Sequence, residues 1–203
     1  MTEYSHSDNT AFCGGQGMAV GATGSEVEIA DSSGNLAQAG TTITASGAEI
    51  NRIADKSASV VVANGDTLTV TKELHGDRYI AFGKASGTTV TLPAALGTGD
   101  KYTFIIATAA TSNANIIQVA NATDVMDGSL AFAADTDGEG ATGFTWMAEV
   151  GDDTMTFAGA ATTGGIVGNR IECIDYAAGF WCCTAWTISG GGAEATPFSA
   201  AVT

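Results

Sequence analysis

Apolar residues two apart, with threonine or a small residue between them, run through residues 68–93, which read LTVTKELHGDRYIAFGKASGTTVTLP. Leu68, Val70, Ile80, Phe82, Val90 and Leu92 fall in pairs at that spacing. A period of two turns one set of side chains to one face of a sheet and the threonines to the other. Gly76-Asp77 and Ser86-Gly87 stand between the runs, where tight turns are expected. Pro93 ends the last run, because it cannot donate to a continuing ladder. The stretch predicts the opening strands of an antiparallel β-domain.

Further runs follow at intervals of about ten residues, the rhythm of a sandwich or barrel. The strongest is KYTFIIA, Lys101 to Ala107, rich in the aromatic and β-branched residues a core strand needs. Ile116-Ile117 with Val119, Phe144 to Val150, Met155 to Phe157, Ile166-Val167, Arg170 to Tyr176 and Phe180 to Ile188 complete the series. The expected fold is all-β, an antiparallel β-sandwich or β-barrel of jelly-roll type over residues 58–189. Residues 190–203 begin with three glycines and are expected to form a flexible or draped tail.

The first 57 residues lack that rhythm. Glycines at 14, 15, 17, 21 and 24 among scattered apolar residues predict an extended arm that orders on a partner. Val27 and Ile29 alternate with Glu26 and Glu28, which predicts a short strand, either an edge hairpin or a strand added to a neighbouring subunit. Ser46 and Glu49 have the spacing of a capping box, opening a helix near 46–55 whose apolar stripe is Ile50, Ile53 and Ala54. A helix that short does not stand alone in water. Its stripe must pack on the β-domain or on copies of itself around an axis, and the stripe does not choose between them. Ile50, Ile53, Val27 and Ile29 are the expected partner or trimer contacts.

Composition sharpens this picture. Hydrophobic residues make up 45% of the 203, yet only 7% are aromatic, and 27 glycines accompany abundant threonine and alanine. Short strands and small-residue turns suit that mixture better than long helices. The net charge of −15, from 22 acidic and 7 basic residues, repels phosphate backbones and argues against nucleic-acid binding. It favours a solvated acidic surface or docking on a basic partner. The polar start MTEYSHSDNT does not read as a secretory signal, and no apolar run reaches the length of a membrane span. Cys13, Cys173, Cys182 and Cys183 match no zinc spacing. Buried reduced thiols in a cytosolic product are the simplest expectation, with a bridge from Cys173 to Cys182 or Cys183 across a hairpin as the alternative.

Candidate chemistry is sparse. Asp135-Thr136-Asp137-Gly138-Glu139 begins like a calcium loop, but the twelfth position is Trp146 rather than the bidentate glutamate, so an acidic turn is expected. Asp152-Asp153 after Gly151 suggests a hairpin turn. His6 lies in the arm and His75 at a hairpin end, neither beside a nucleophile motif. The glycine pairs lack the lysine and the strand–helix setting of a phosphate loop. Trp146, Trp181 and Trp186 read as core or subunit-interface aromatics. No catalytic, cofactor or metal group is expected, although a spatial pair of carboxylates, as in a glycan hydrolase, is not readable from sequence.

Several strings carry a resemblance. They are Thr89-Val90-Thr91-Leu92-Pro93-Ala94-Ala95, Gly97-Thr98-Gly99-Asp100, Tyr102-Thr103-Phe104 and the run from Ile117 to Gly128. Thr162-Thr163-Gly164-Gly165, Gly168-Asn169-Arg170-Ile171-Glu172 and Glu194-Ala195-Thr196-Pro197-Phe198-Ser199 extend it. Together they resemble a β-domain of tailed-bacteriophage virion proteins, and Thr44 to Asn51 is similar to the T-A-x-x-A-E-L-N helix that precedes such domains. The resemblance spans roughly residues 42–199. It implies a capsid decoration (cement) or head-fibre protein, commonly trimeric, made in the host cytoplasm and placed on the virion surface against the major capsid protein. A tail-fibre or receptor-binding tip that grips a host glycan is the alternative in the same setting. A glycan hydrolase is the alternative from another class.

Overall fold

The computed structural model describes residues 59–135, 143–159, 162–189 and 194–203, together with the backbone of two short strands nearer the start. Those two, β1 (Ala37–Gln38) and β2 (Thr41–Thr42), pair antiparallel within a first unit, Met1–Ser46. The second unit, Gly47–Thr203, holds the β-domain. The expected helix near 46–55, with Ile50 and Ile53, lies outside the described residues, as do Val27 and Ile29.

Twelve strands build the β-domain: β3 (Val60–Ala63), β4 (Thr67–Thr69), β5 (Tyr79–Phe82), β6 (Thr89–Thr91), β7 (Lys101–Ile106), β8 (Asn115–Gln118), β9 (Leu130–Asp135), β10 (Gly143–Met147), β11 (Thr154–Phe157), β12 (Arg170–Ala177), β13 (Phe180–Ser189) and β14 (Phe198–Ser199). One helical turn, α1 (Lys72–His75), separates β4 from β5. The strands form a seven-stranded sheet in the order β10-β9-β13-β12-β7-β5-β3 and a five-stranded sheet in the order β14-β11-β8-β6-β4. One hydrophobic cluster joins the two sheets, so the domain is the all-β, two-sheet assembly that the alternation predicts.

The pairing departs from expectation. From β3 to β8 the chain visits the two sheets in turn, and each strand lies parallel to the one two places before it. This is a short coil, each turn giving one strand to each sheet; afterwards hairpins and antiparallel partners take over, except that β9 lies parallel to β13. The sheets are mixed, not wholly antiparallel. The turn residues between runs look alike whether the chain doubles back in one sheet or crosses to the other. Leu68 and Val90 therefore enter the core from the five-stranded sheet, and Ile80 and Phe82 from the sheet opposite.

Alternation explains the packing. Ile80, Phe82, Tyr102, Phe104, Ile171, Cys173, Trp181 and Cys183 point inward from the seven-stranded sheet; Val90, Ile117, Met155 and Phe157 meet them. Phe82 sits 6.0 Å from Phe104, and Tyr102 sits 5.9 Å from Trp181, between ring centroids. Burying a side chain of this size contributes roughly 1.5–3 kcal/mol. At Gly87 the chain turns with φ +82°, and a Cβ there would run into the carbonyl of Ala114.

Several smaller expectations change. Cys173 and Cys183 stand opposite each other on β12 and β13, Cα atoms 4.1 Å apart, and are joined as a disulfide; they are not reduced thiols. Cys182 is free and exposed on the other face. Ile166-Val167 forms no strand: Gly164, Gly165 and Gly168 take positive φ, and the Asn169 side-chain oxygen accepts from the Gly165 and Ile166 N–H groups. Asp152-Asp153 does not close a hairpin, since β10 and β11 belong to different sheets. The tail is part of the fold, because β14 adds to β11.

Candidate assembly face

The outer face of the seven-stranded sheet is the feature that sets this domain apart. One cross-strand row carries Val62, Ala81, Ile105, Arg170, Trp186, Phe132 and Thr145; the next carries Val60, Tyr79, Thr103, Glu172, Thr184, Leu130 and Met147. Trp186 is 59% exposed, and Val60 and Val62 are 52% each. The Trp186 ring stacks on Phe132 with centroids 4.5 Å apart and planes 14° from parallel. Cys182 and Ile174 share this face in a third row. Large apolar side chains spread across a sheet face mark a surface meant to be covered.

Charge concentrates in the middle of the same face. Glu172 Oε2 lies 3.2 Å from Arg170 Nη2 and 3.5 Å from Lys101 Nζ. Beside them a hollow of about 180 Å³ is walled by Asp77, Arg78, Tyr79, Lys101, Thr103 and Arg170. Three of the seven lysines and arginines of a chain with net charge −15 thus line one depression. A second hollow, about 330 Å³, lies between β9, β10 and the exposed ring of Trp186.

The five-stranded sheet has a different exterior. Its outward positions on β4, β6 and β11 are mostly threonines, Thr67, Thr69, Thr89, Thr91 and Thr156, with Thr154 buried and donating its hydroxyl to Asp153 Oδ1, while β8 presents Ile116 and Gln118 among them. Thr67 and Thr89 are neighbours across the parallel strands, as are Thr69 and Thr91, while Gln118 Nε2 donates to Thr91 Oγ1 at 3.3 Å. Hydroxyls that keep their hydrogen bonds with water need no cover.

Buried polar groups hold loops in place. Asp175 is buried; its carboxylate accepts from the N–H groups of Leu96, Gly97 and Thr98 and from the Thr98 hydroxyl, at 2.6–3.1 Å. Burial alone would raise its pKa, but these donated hydrogen bonds outweigh that and hold it below the usual carboxylate value. Asp124 accepts from Ala95 N–H and Asn121 Nδ2, and Asp153 from the Ala201 and Val202 N–H groups. From the sequence, Asp124 and Asp175 have no assigned role, and Asp153 is expected only as part of a hairpin turn. His75 is buried in α1, not exposed at a hairpin end, and its Nδ1 accepts from Thr71 N–H at 3.0 Å. Burial lowers its pKa, with nearby Arg78 adding to the effect, against a raising contribution from the Thr71 backbone.

Of the tryptophans, Trp181 is core, Trp146 packs partly buried against it, and Trp186 is on the outer face. Only Asp135 of the acidic 135–139 segment is described, as the end of β9. Among the described residues no group of three or more His, Cys, Asp or Glu is placed to hold a metal ion. No helix among them is long and apolar enough to cross a membrane.

No family model, curated protein or solved structure matches this chain. The site is read on its geometry and on the strings quoted above.

Proposed function

We propose that this chain is a structural virion subunit, a decoration (cement) protein that binds the outside of a tailed-phage head and stabilises the shell. The major capsid protein and further copies of the chain, as a homotrimer, are its partners. The observation that carries this reading is the apolar outer face of the seven-stranded sheet, which suits a protein that works by assembly. The likeness of residues 42–199 to phage β-domains points that assembly to a particle surface. Many copies on a repeating shell would hold by avidity, so each contact can be weak.

The test is the copy number of the protein relative to the major shell protein in purified particles, by quantitative mass spectrometry. A ratio comparable to the shell protein supports decoration. A small fraction of it supports the second reading, a fibre or receptor-binding tip, for which the stacked and exposed Trp186 ring offers a sugar platform. Absence from particles rejects both.

A further inference from the structure

Arg78 differs from the other cations of the central hollow. It is half-buried, and no ion pair among the described residues includes it, although the chain carries 22 acidic residues. Lys101 and Arg170 share the carboxylate of Glu172. A partly desolvated guanidinium without a counter-ion is costly, and it points to an anionic group brought from outside the chain.

The groups around Arg78 select among anions. Tyr79, Thr103 and Glu172 are successive neighbours in one cross-strand row, and Arg170 and Lys101 flank that row from the two beside it. Guanidinium forks match a carboxylate, and the Tyr79 ring, 43% exposed, offers a face to the apolar side of a sugar. Glu172 can accept hydrogen bonds from sugar hydroxyls. An acidic peptide would use the same cations but would set its carboxylates against Glu172 and Asp77. The hollow, about 180 Å³, is on the scale of one sugar ring rather than of a larger ligand.

The row continues beyond the hollow. After Glu172 comes Thr184 on β13, two residues from the exposed Trp186 ring. Neighbouring strands lie about 4.8 Å apart, close to the advance of a glycan chain per ring, so a short saccharide lying across the strands reaches both Tyr79 and Trp186. The acidic remainder of the surface limits the ligand further. A dense polyanion would extend past the cations onto like charge, whereas a saccharide with isolated carboxylates would not.

We propose that the hollow over β5, β7 and β12 binds an acidic saccharide, with Arg78 and Arg170 on its carboxylate, Tyr79 against that ring and Trp186 under a neighbouring one. The site rests on the second reading above, the receptor-binding tip, and names its ligand. Binding is measured on the isolated chain, separately from copy number in particles. A fibre-like copy number without saccharide binding rejects this site alone; binding with a shell-like copy number keeps the site and rejects the tip.

The test is isothermal titration calorimetry of the full chain with hyaluronan and unsulfated chondroitin tetrasaccharides, which carry a carboxylate on alternate rings. Their carboxyl-reduced forms and a tetraglutamate peptide are titrated beside them. The acidic saccharides are expected to bind, and carboxyl reduction, Arg78→Gln and Tyr79→Leu each to weaken binding about tenfold or more. Tyr79→Phe, which keeps the ring, and Lys84→Gln, outside the hollow, are expected to leave it unchanged. Unchanged melting temperatures show that the variants are folded. No binding by the native chain, equal binding of the carboxyl-reduced forms, indifference to Arg78→Gln, or tighter binding of tetraglutamate would overturn the proposal.

Discussion

The two sheets share one core but present opposite surfaces to the outside. On the five-stranded sheet Thr67, Thr69, Thr89, Thr91 and Thr156 alternate with buried or half-buried apolar residues; on the seven-stranded sheet the outward positions hold Val60, Val62, Ile105, Phe132 and Trp186 among Thr103, Thr145, Thr184, Arg170 and Glu172. Both outward sets have the β-branched or aromatic character that strands favour, so strand propensity does not account for the difference. Threonine satisfies that propensity and keeps a hydroxyl for water. Valine, phenylalanine and tryptophan satisfy it and leave apolar area exposed, which is unfavourable by about 25 cal/mol per Å² unless something covers it. The chain uses the hydroxyl solution on most of one side, while on the other Thr103, Thr145 and Thr184 share the face with large apolar residues, and that contrast is what the proposed assembly face rests on.

The comparison is tested most strongly within β13. Trp181 and Trp186 lie five positions apart and so face opposite ways. Trp181→Ala is expected to destabilise the fold by about 3–5 kcal/mol through the cavity it leaves. Trp186→Ala, measured by urea unfolding on dispersed chains, should cost less than about 1 kcal/mol. Equal losses at the two sites would remove the distinction between inner and outer faces.

Next in size is the clamp at the mouth of the sandwich. Asp175→Asn weakens hydrogen bonds to a charged acceptor and is expected to cost roughly 1.5–3 kcal/mol. Because the folded-state pKa of Asp175 is depressed, its contribution is fully present above the ordinary value of 3.8 and is lost as pH falls through the folded value. His75, also depressed, acts in the same direction at higher pH: its contribution is complete above the ordinary 6.5 and fades as pH falls through its folded value. Stability measured against pH should therefore decline toward acid in two stages. The lower stage should be missing in Asp175→Asn, and its persistence there would assign it to another group.

The smallest effect belongs to the threonine face. Thr69→Val should move stability by no more than about 0.5 kcal/mol in either direction, since its hydroxyl is exposed. A loss above about 1 kcal/mol, read from thermal unfolding, would make the threonine array structural and would weaken its use as the solvent-facing reference.

Much of the architecture was legible along the chain. Strands such as KYTFII and FWCCTAWTIS are marked by β-branched and aromatic residues with a clean period of two, which is a local property. β9 was missed because its inward residues are Ala131 and Ala133, too small to mark a face, while Leu130 and Phe132 point outward. Ile166-Val167 was read as a strand because an apolar pair gives no sign that flanking glycines with positive φ and the Asn169 side chain hold it in a turn. The anchoring roles of Asp124, Asp153 and Asp175 were not legible, since nothing in a carboxylate's neighbours along the chain tells which distant N–H groups it will accept from.

The candidate site divides in the same way. Trp186 and the scarcity of basic residues could be noted from the sequence, but Arg78, Lys101 and Arg170 stand 23 and 69 positions apart, and only the order β12-β7-β5 brings them to one hollow. By itself the sequence determined that this would be an all-β chain with alternating inner and outer positions, because side-chain periodicity is set residue by residue by backbone geometry. The tertiary structure alone decided which strands pair, that β3 to β8 form a parallel coil across two sheets, and how apolar and polar residues are shared between the two outward faces. Pairing and burial are relations between distant segments, fixed only when the whole core closes.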